Sequence, residues 1–226
     1  MRITIVRHGQ TWANAEGRIQ GHWDAELSDE GRAQAEKLRV QLEAEGFQPT
    51  HVYTSPLIRC AETAAIVSAS FKVPIVPWDD LKEHDMGVMS GLTWAEVDKK
   101  FSDIDLVAER ARQWTGIEGV ESIPSRRARG ERVAWRLLND HSAADVVFVV
   151  SHGGIMPSIL SAIMGTERTW GISTGNTGRF DLTLDLDRWA NDGDDRHNVA
   201  HARIERFSDT SHLGVPTVVD HRRAAP

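Results

Sequence analysis

The sequence predicts an α/β fold built on a mostly parallel central sheet. Apolar, β-branched runs recur at Ile3 to Val6, His51 to Thr54, Val73 to Trp78 and Asp145 to Val150, with helical stretches between them. Strands that alternate with helices pair in parallel and take helices on both faces, which gives three layers, α/β/α. The run Asp145-Val146-Val147-Phe148-Val149-Val150 is apolar without alternation, as a strand covered on both faces must be.

Each element follows from local chemistry. Ile3-Thr4-Ile5-Val6 reads as a buried strand that delivers Arg7-His8-Gly9-Gln10 at its carboxyl end, where open α/β sheets bind ligands. Residues 11–21, with Trp12, Asn14 and Gln20-Gly21, form a loop or short helix able to fold back over His8. Ser28 caps a helix whose small and apolar positions Ala33, Ala35, Leu38, Val40 and Leu42 run to a stop at Gly46. The second strand, His51 to Thr54, leads through Ser55-Pro56-Leu57 into a helix that carries Arg59, Thr63, Ala64, Ile66 and Val67. The third, Val73 to Trp78, leads into Glu83-His84-Asp85-Met86-Gly87 and Ser90-Gly91-Leu92-Thr93.

From Thr93 to about Gly130 the pattern breaks into short helical pieces with Trp94, Phe101, Leu106 and Trp114, interrupted by Gly116, Gly119 and Pro124. Together with the end of the Glu83 loop this predicts a helical lid inserted over about residues 84–130. A helix is expected from about Arg126 to His141, and the Asp145 to Val150 strand then ends at Ser151-His152-Gly153-Gly154. Another helix follows from Ile155 to about Met164. Phe180 to Trp189 and Val199 to Phe207 read as a two-stranded hairpin about Asn191-Asp192-Gly193. A single domain spanning residues 1–226 is expected, with a frayed tail over about 210–226.

Composition narrows the class of function. The chain has 226 residues, and 26 Lys and Arg against 33 Asp and Glu leave a formal charge of −7. The basic residues are scattered, so neither nucleic acid nor an anionic membrane is an expected partner. One cysteine, Cys60, allows no internal disulfide, and no apolar run reaches the roughly 18 residues of a spanning helix. The strand run starts at residue 3, so no signal peptide is expected, and a cytoplasmic location fits best. Self-association into a homo-oligomer is left open by the sequence.

Three strand ends deliver Arg7-His8, Arg59 and His152, and in a parallel sheet those ends share one edge. Two guanidinium forks there can hold a phosphoryl group, and a neutral imidazole can attack phosphorus. Positive neighbours favour that neutral form by lowering the imidazole pKa.

Other nucleophiles fit less well. A cysteine-based phosphatase needs an Arg six residues after its Cys, and position 66 is Ile, so Cys60 reads as a small packing residue. Asp185-Leu186-Asp187 is followed by Trp189 where an aspartate phosphatase has Thr or Val. The Asp192 to Asp195 stretch lacks the glycine of a calcium loop. Histidines 22, 51, 84, 141, 197, 201, 212 and 221 show no metal-ligand spacing, and neither a metal nor another cofactor is expected.

These blocks resemble the histidine phosphatase superfamily, the phosphoglycerate mutase-like proteins. The resemblance runs through Ile5-Val6-Arg7-His8-Gly9-Gln10 with Asn14, Gln20-Gly21, Leu27-Ser28 with Gly31, and Ser55-Pro56-Leu57-Ile58-Arg59 with Thr63-Ala64. It continues in Glu83 with Gly87 and Gly91, Glu121-Ser122, and Ser151-His152-Gly153-Gly154, in the family's order from residue 3 to about 185. It implies a phosphoglycerate mutase-like fold and a phosphohistidine nucleophile at His8. It also implies that Arg7, Arg59 and His152 hold the transferring phosphoryl group and that Glu83 is the proton donor, with Asp85 a weaker candidate. Asn14, Gln20, Gly21 and Gly153 would line the substrate site.

Within the family, a mutase needs basic lid groups to grip a second anion. Where the mutase pattern has Lys soon after Gly-Leu, this chain has Gly91-Leu92-Thr93-Trp94, and paired lid arginines are missing near Gln113-Trp114, although Arg110 and Arg112 lie close by. A phosphatase acting on a small phosphomonoester is therefore favoured. The alternatives are mutase-type transfer and a catalytically weak protein that binds phospho-ligands.

Overall fold

The computed structural model describes residues 1–105, 108, 114, 116–168, 172–189 and 201–214. A six-stranded sheet holds β1 (Arg2–Arg7), β2 (His51–Thr54), β3 (Ile75–Pro77), β4 (Val146–Ser151), β5 (Arg179–Leu184) and β6 (Ala202–Asp209) in the order β3-β2-β4-β1-β5-β6. β3, β2, β4 and β1 run parallel, and β5 and β6 add antiparallel at one end. The parallel register places Arg7 opposite Ser151 and Thr54 opposite Val150, so three strands finish level at one edge.

Two apolar layers sandwich the sheet. Ile3, Ile5, Val147 and Val149 face α5 (Ile123–Asn139) and α6 (Met156–Ile163) through Val133, Leu137, Ile155 and Ile159. Val6, Phe148 and Val150 face α2 (Asp29–Ala44) and α3 (Ile58–Val67) through Ala35, Leu38, Leu42, Ala64 and Val67. All of these are buried, and each fully buried large apolar side chain contributes about 1.5–3 kcal/mol.

Helix boundaries follow their caps. Ser28 accepts the Gly31 N–H at 3.1 Å and starts α2, as expected. α5 begins at Ile123, a little before the expected Arg126, because Ser122 caps it and Pro124 occupies its first turn. The strand expected to run from Phe180 to Trp189 stops at Leu184. Its last four residues form α7 (Leu186–Trp189), in which the Asp185 carbonyl accepts the N–H of Arg188 and of Trp189. The hairpin pairing of β5 with β6 is present, and Val199 and the turn at Asn191-Asp192-Gly193 lie outside the described residues.

Two short helices flank the chain near the sheet edge, α1 (Trp12–Ala15) and α4 (Trp94–Lys100). Between β3 and α5, a third small core gathers Ile19, Met89, Val97 and Ile117, with Trp114 packed beside it. Trp94 meets Trp114 with ring centroids 5.1 Å apart, so both serve packing here. A bridge from Arg18 to Thr93 ties this segment to the stretch after α1, and one from Met86 to Val120 closes the segment on itself. Leu106, Arg110 and Arg112, and the tail from 215 onward, lie outside the described residues. Among the described residues no helix is long and apolar enough to cross a membrane.

Candidate active site

The carboxyl edge of the parallel strands carries a cavity of about 220 Å³ lined by Arg7, His8, Asn14, Arg18, Gln20, Gly21, Arg59, Glu83, His84, Met86 and Gly154. A second hollow of about 410 Å³, lined by Arg7, Glu83, Gly153, Gly154, Ile172, Ser173 and Thr174, shares Arg7, Glu83 and Gly154 with the first. The two meet at the Arg7 guanidinium and the Glu83 carboxylate. The structure thus brings Arg7, His8, Asn14, Gln20, Gly21, Arg59 and Glu83 to one cavity, with Gly153 in the adjoining hollow and His152 behind them.

His8 follows β1 directly and is buried, its main-chain N–H held by the Ser151 carbonyl at 3.0 Å. Its Nδ1 lies 2.7 Å from the Gly9 carbonyl, which can only accept, so Nδ1 carries the proton. Nε2 is then a lone-pair nitrogen without a hydrogen-bond partner among the described residues. Burial, and then the charges of Arg7 and Arg59, push the ring's pKa well below its ordinary value of 6.5. A neutral, oriented imidazole between two cations is the outcome.

Arg7 is anchored by donation from Nη1 to the Thr174 carbonyl at 2.6 Å, while its buried Nε has no partner among the described residues. Buried donors are rarely left unpaired, so this one suits an incoming acceptor. Arg59, in the first turn of α3, is completely buried and gives Nη2–H to the Gly21 carbonyl at 2.8 Å and Nη1–H to the Trp23 carbonyl at 3.2 Å. Burial lowers the pKa of both guanidinium groups, but an arginine stays cationic at working pH. Gly21 adopts φ +55°, and a side chain there would meet the Met86 main chain, so this turn admits glycine alone.

His152 stands behind the other groups. It is fully buried behind His8, ring centroids 5.1 Å apart, and does not line the cavity. Arg59 Nε–H donates to its Nδ1 at 3.2 Å, which puts its proton on Nε2, 2.8 Å from Ser55 Oγ. Burial, then Arg59 and His8, hold it neutral well below the ordinary histidine pKa. Cys60 packs on the same ring, Sγ 3.3 Å from Nε2, with its thiol pKa pushed up by burial, consistent with a packing residue.

Glu83 faces these groups from the other wall. Its Oε1 accepts the His84 N–H at 2.7 Å and its Oε2 the Gly154 N–H at 3.0 Å. A Cβ at Gly154 would stand 2.4 Å from Oε1, so this glycine is what lets the carboxylate approach the sheet edge. Asp85 is engaged elsewhere, accepting the Gly87 N–H at 3.0 Å and lying 3.3 Å from His22 Nδ1. Asn14 caps the α1 turn against Thr11 and receives Asn176 Nδ2–H at 3.3 Å, and Gln20 accepts the Thr11 hydroxyl at 3.1 Å. Gly153 lies against the Arg7 side chain in the neighbouring hollow.

Sequence reasoning passed over Ser55 as a partner of His152, Thr174 as the anchor of Arg7, His22 on the Glu83 carbonyl at 2.8 Å, and Arg129. The one trace of Arg129 in the sequence is that Arg126, Arg129 and Arg132 recur every three residues on one helix, a pattern a solvated stripe shares. Among the described residues no group of His, Cys, Asp and Glu side chains could hold a metal ion.

Comparison with known proteins places the chain among phosphoryl-transfer enzymes. A model of the histidine phosphatase superfamily, branch 1, matches residues 3–193. Over 213 residues the chain is 32% identical to phosphoglycerate mutase-like protein 4 of Arabidopsis thaliana, covering 93% of this chain and 86% of that protein. Over 218 residues it is 30% identical to the metal-independent phosphoserine phosphatase of the same plant, covering 93% and 82%. Its fold is similar to that of the alpha-ribazole phosphatase from Shigella flexneri, with TM-score 0.76 at 21% identity over 93% of this chain and 97% of the other.

Proposed function

The chain belongs to the histidine phosphatase superfamily, and from that premise we propose that it hydrolyses a small phosphomonoester through a phosphohistidine formed on His8. The observation that carries the reading is the state of His8: Nδ1–H fixed on the Gly9 carbonyl, Nε2 unpartnered, and the ring held neutral between Arg7 and Arg59.

In the first step the Nε2 lone pair attacks phosphorus, the bond from phosphorus to the ester oxygen breaks, and Glu83 protonates the departing alkoxide. Water then attacks the phosphohistidine and passes a proton to the Glu83 carboxylate. The P–N bond breaks and neutral His8 returns. Arg7 and Arg59 offset the negative charge on the equatorial oxygens, which is most of what phosphoryl transfer asks of a protein. His152 acts from behind, orienting Arg59 through Nδ1 and packing on the edge of His8.

Mutase-type transfer is the competing reading. It needs a second anion grip, and among the described residues the further arginine on the cavity, Arg18, is already engaged with Glu16, Glu96 and the Gly91 carbonyl. That favours hydrolysis.

The test is a quenched-flow trap with an aryl phosphate. We expect an acid-labile, base-stable phosphoryl group on the wild type, absent in His8→Ala, with turnover in that variant down by about 10⁴-fold or more. Phosphate release from phosphoserine, the substrate in one relative's name, and from 3-phosphoglycerate then ranks substrates. Interconversion of phosphoglycerates without phosphate release would instead establish the mutase, and tight phosphate binding without turnover would leave a binding protein.

A further inference from the structure

Glu83 lies on an irregular loop between β3 and α4, where no neighbouring strand pairs with its carbonyls. One side chain takes three of them, sharing the Glu83 carbonyl with His22 Nε2 at 2.8 Å. Arg129 of α5 donates Nη1–H to the Asp80 carbonyl at 3.0 Å and to the Lys82 carbonyl at 2.5 Å, and Nη2–H to the Glu83 carbonyl at 3.1 Å. Its Nε and Nη2 also form a two-pronged pair with Glu121, at 3.0 and 2.6 Å, with side chains only 10% and 11% exposed.

The loop is strapped to Glu121 as well. The Glu121 N–H donates to the Asp85 carbonyl at 2.9 Å, and the Glu121 carbonyl accepts His84 Nε2–H at 3.1 Å. One turn to either side of Arg129, Arg126 donates to His84 Nδ1 at 2.8 Å and Arg132 pairs with the Asp80 carboxylate at 2.7 Å. A stripe of arginines spaced by three thus runs along residues 80–84, with Arg129 at its centre on the main chain of Glu83 itself.

A guanidinium offers five N–H donors in a rigid fork, and Arg129 spends them on three carbonyls and a carboxylate. Lysine cannot reproduce that fork. We propose that Arg129, oriented by Glu121, is a positioning residue for Glu83, fixing the distance from its carboxylate to the oxygen that leaves phosphorus. The inference rests on the reading of Glu83 as proton donor. Arg129 touches no reacting atom in this scheme, so removing it should weaken proton transfer and spare phosphoryl binding.

The experiment compares p-nitrophenyl phosphate, whose phenolate needs little protonation, with O-phosphoserine, whose alkoxide needs it. Because Glu83 also takes the proton in the hydrolysis step, the selectivity is read by rapid quench on phosphohistidine formation. Glu83→Gln is the benchmark and should slow that step with phosphoserine by about 10²-fold or more while slowing it far less with the aryl ester. Arg129→Lys is expected to show the same selectivity, with formation from phosphoserine down about 10–100-fold, formation from the aryl ester within about threefold and half-saturation of that step within about threefold on both. The double variant should be no slower than Glu83→Gln alone, because both act on one step.

Equal losses on both substrates, or additive losses in the double variant, would make Arg129 a general structural residue and overturn the inference. A selective Glu83→Gln with an indifferent Arg129→Lys overturns it while leaving the proposed function standing. A Glu83→Gln with no selectivity removes Glu83 as the acid and takes the inference with it. Should Arg129→Lys fold poorly by thermal melt, Glu121→Gln leaves the three carbonyl bonds intact and must show the same selectivity at about 3–10-fold.

Discussion

The two walls of the cavity are built on different principles. On the sheet wall, His8 and His152 sit where β1 and β4 end, and the main chain there continues the ladder, as in His8 N–H to the Ser151 carbonyl and Ser55 N–H to the Val150 carbonyl at 3.0 Å, while Arg59 stands in the first turn of α3. Strand register sets the spacing of the two histidines, and the helix that follows β2 brings Arg59 beside them. On the lid wall, Glu83 rides a loop whose carbonyls face arginines from a helix some 45 residues downstream in sequence, and whose carboxylate rests on two main-chain N–H groups. The sheet wall is fixed by backbone pairing that most substitutions leave alone, and the lid wall by side chains that a single change removes.

Gly154 is the sharpest place to break that contrast, because it stands at the junction. Gly154→Ala would put a methyl group where Glu83 Oε1 now lies, 2.4 Å from it, without touching β4 or the rings beneath. Displacing the carboxylate by an ångström or so is expected to slow an alkyl phosphate by about 10²-fold. Phosphohistidine should still form from an aryl phosphate, though its hydrolysis should lag, since Glu83 serves both steps. Rapid-quench measurement of phosphoenzyme level against steady-state rate checks this. A phosphoenzyme that neither forms nor accumulates would mean that the disturbance had reached the sheet wall.

The same contrast explains what the sequence could tell. Arg7, His8 and His152 were legible because they stand at or directly after strand ends, and Arg59 because the helix it opens follows β2 closely; strand ends in a parallel sheet share an edge. What the pattern could not give was which face of the cluster His152 presents. Its burial behind His8 depends on Ser55 and Arg59 competing for its two nitrogens, a choice made by side-chain geometry rather than by order along the chain. The lid wall was legible only through resemblance at Glu83 and Glu121. Nothing local to Arg129 says that it reaches back to residues 80–83, and the spacing of Arg126, Arg129 and Arg132 reads equally well as a solvated stripe. Hydrophobic alternation likewise carried the β5 strand too far, because Leu186 and Trp189 suit a half-buried helix turn packed on the core as well as a strand.

Acidification should reach the two walls at different pH. His8 and His152 have pKa values below their unfolded value of about 6.5, so above that pH neither state binds a proton and stability is complete. As pH falls below 6.5 the unfolded chain takes up protons that the native rings refuse, and stability drops by up to about 1.4 kcal/mol per pH unit for each such ring. Glu121 acts in the same direction, but only at lower pH. Burial raises its pKa, the hydrogen bonds and charge of Arg129 more than offset that, and its lowered value protects the lid wall until the pH approaches the ordinary carboxylate range. Urea midpoints measured from pH 7.5 to 4.5 should therefore start to fall near 6.5, and His8→Asn should flatten that first portion of the curve. A wild-type curve level down to pH 5 would contradict the neutral, buried state assigned to these rings.

The smallest effect expected is that of chelation, and it bears on both walls at once. A magnesium or zinc site needs two or more free carboxylate, imidazole or thiolate donors pointing at one spot. On the lid wall the carboxylates are already committed, Glu83 to two main-chain N–H groups, Glu121 to Arg129, and Asp85 to Gly87 and His22. On the sheet wall the groups facing the cavity are one imidazole, His8, and the cations Arg7 and Arg59, which repel a metal ion and, in the proposed reaction, would do for a phosphoryl group what a metal does elsewhere. Hydrolysis of p-nitrophenyl phosphate should accordingly run at an unchanged rate after dialysis against EDTA, and added magnesium should not raise it. Loss of turnover on chelation that magnesium restores would require a carboxylate to leave its present partner, and Glu83 would then be a ligand rather than a proton donor.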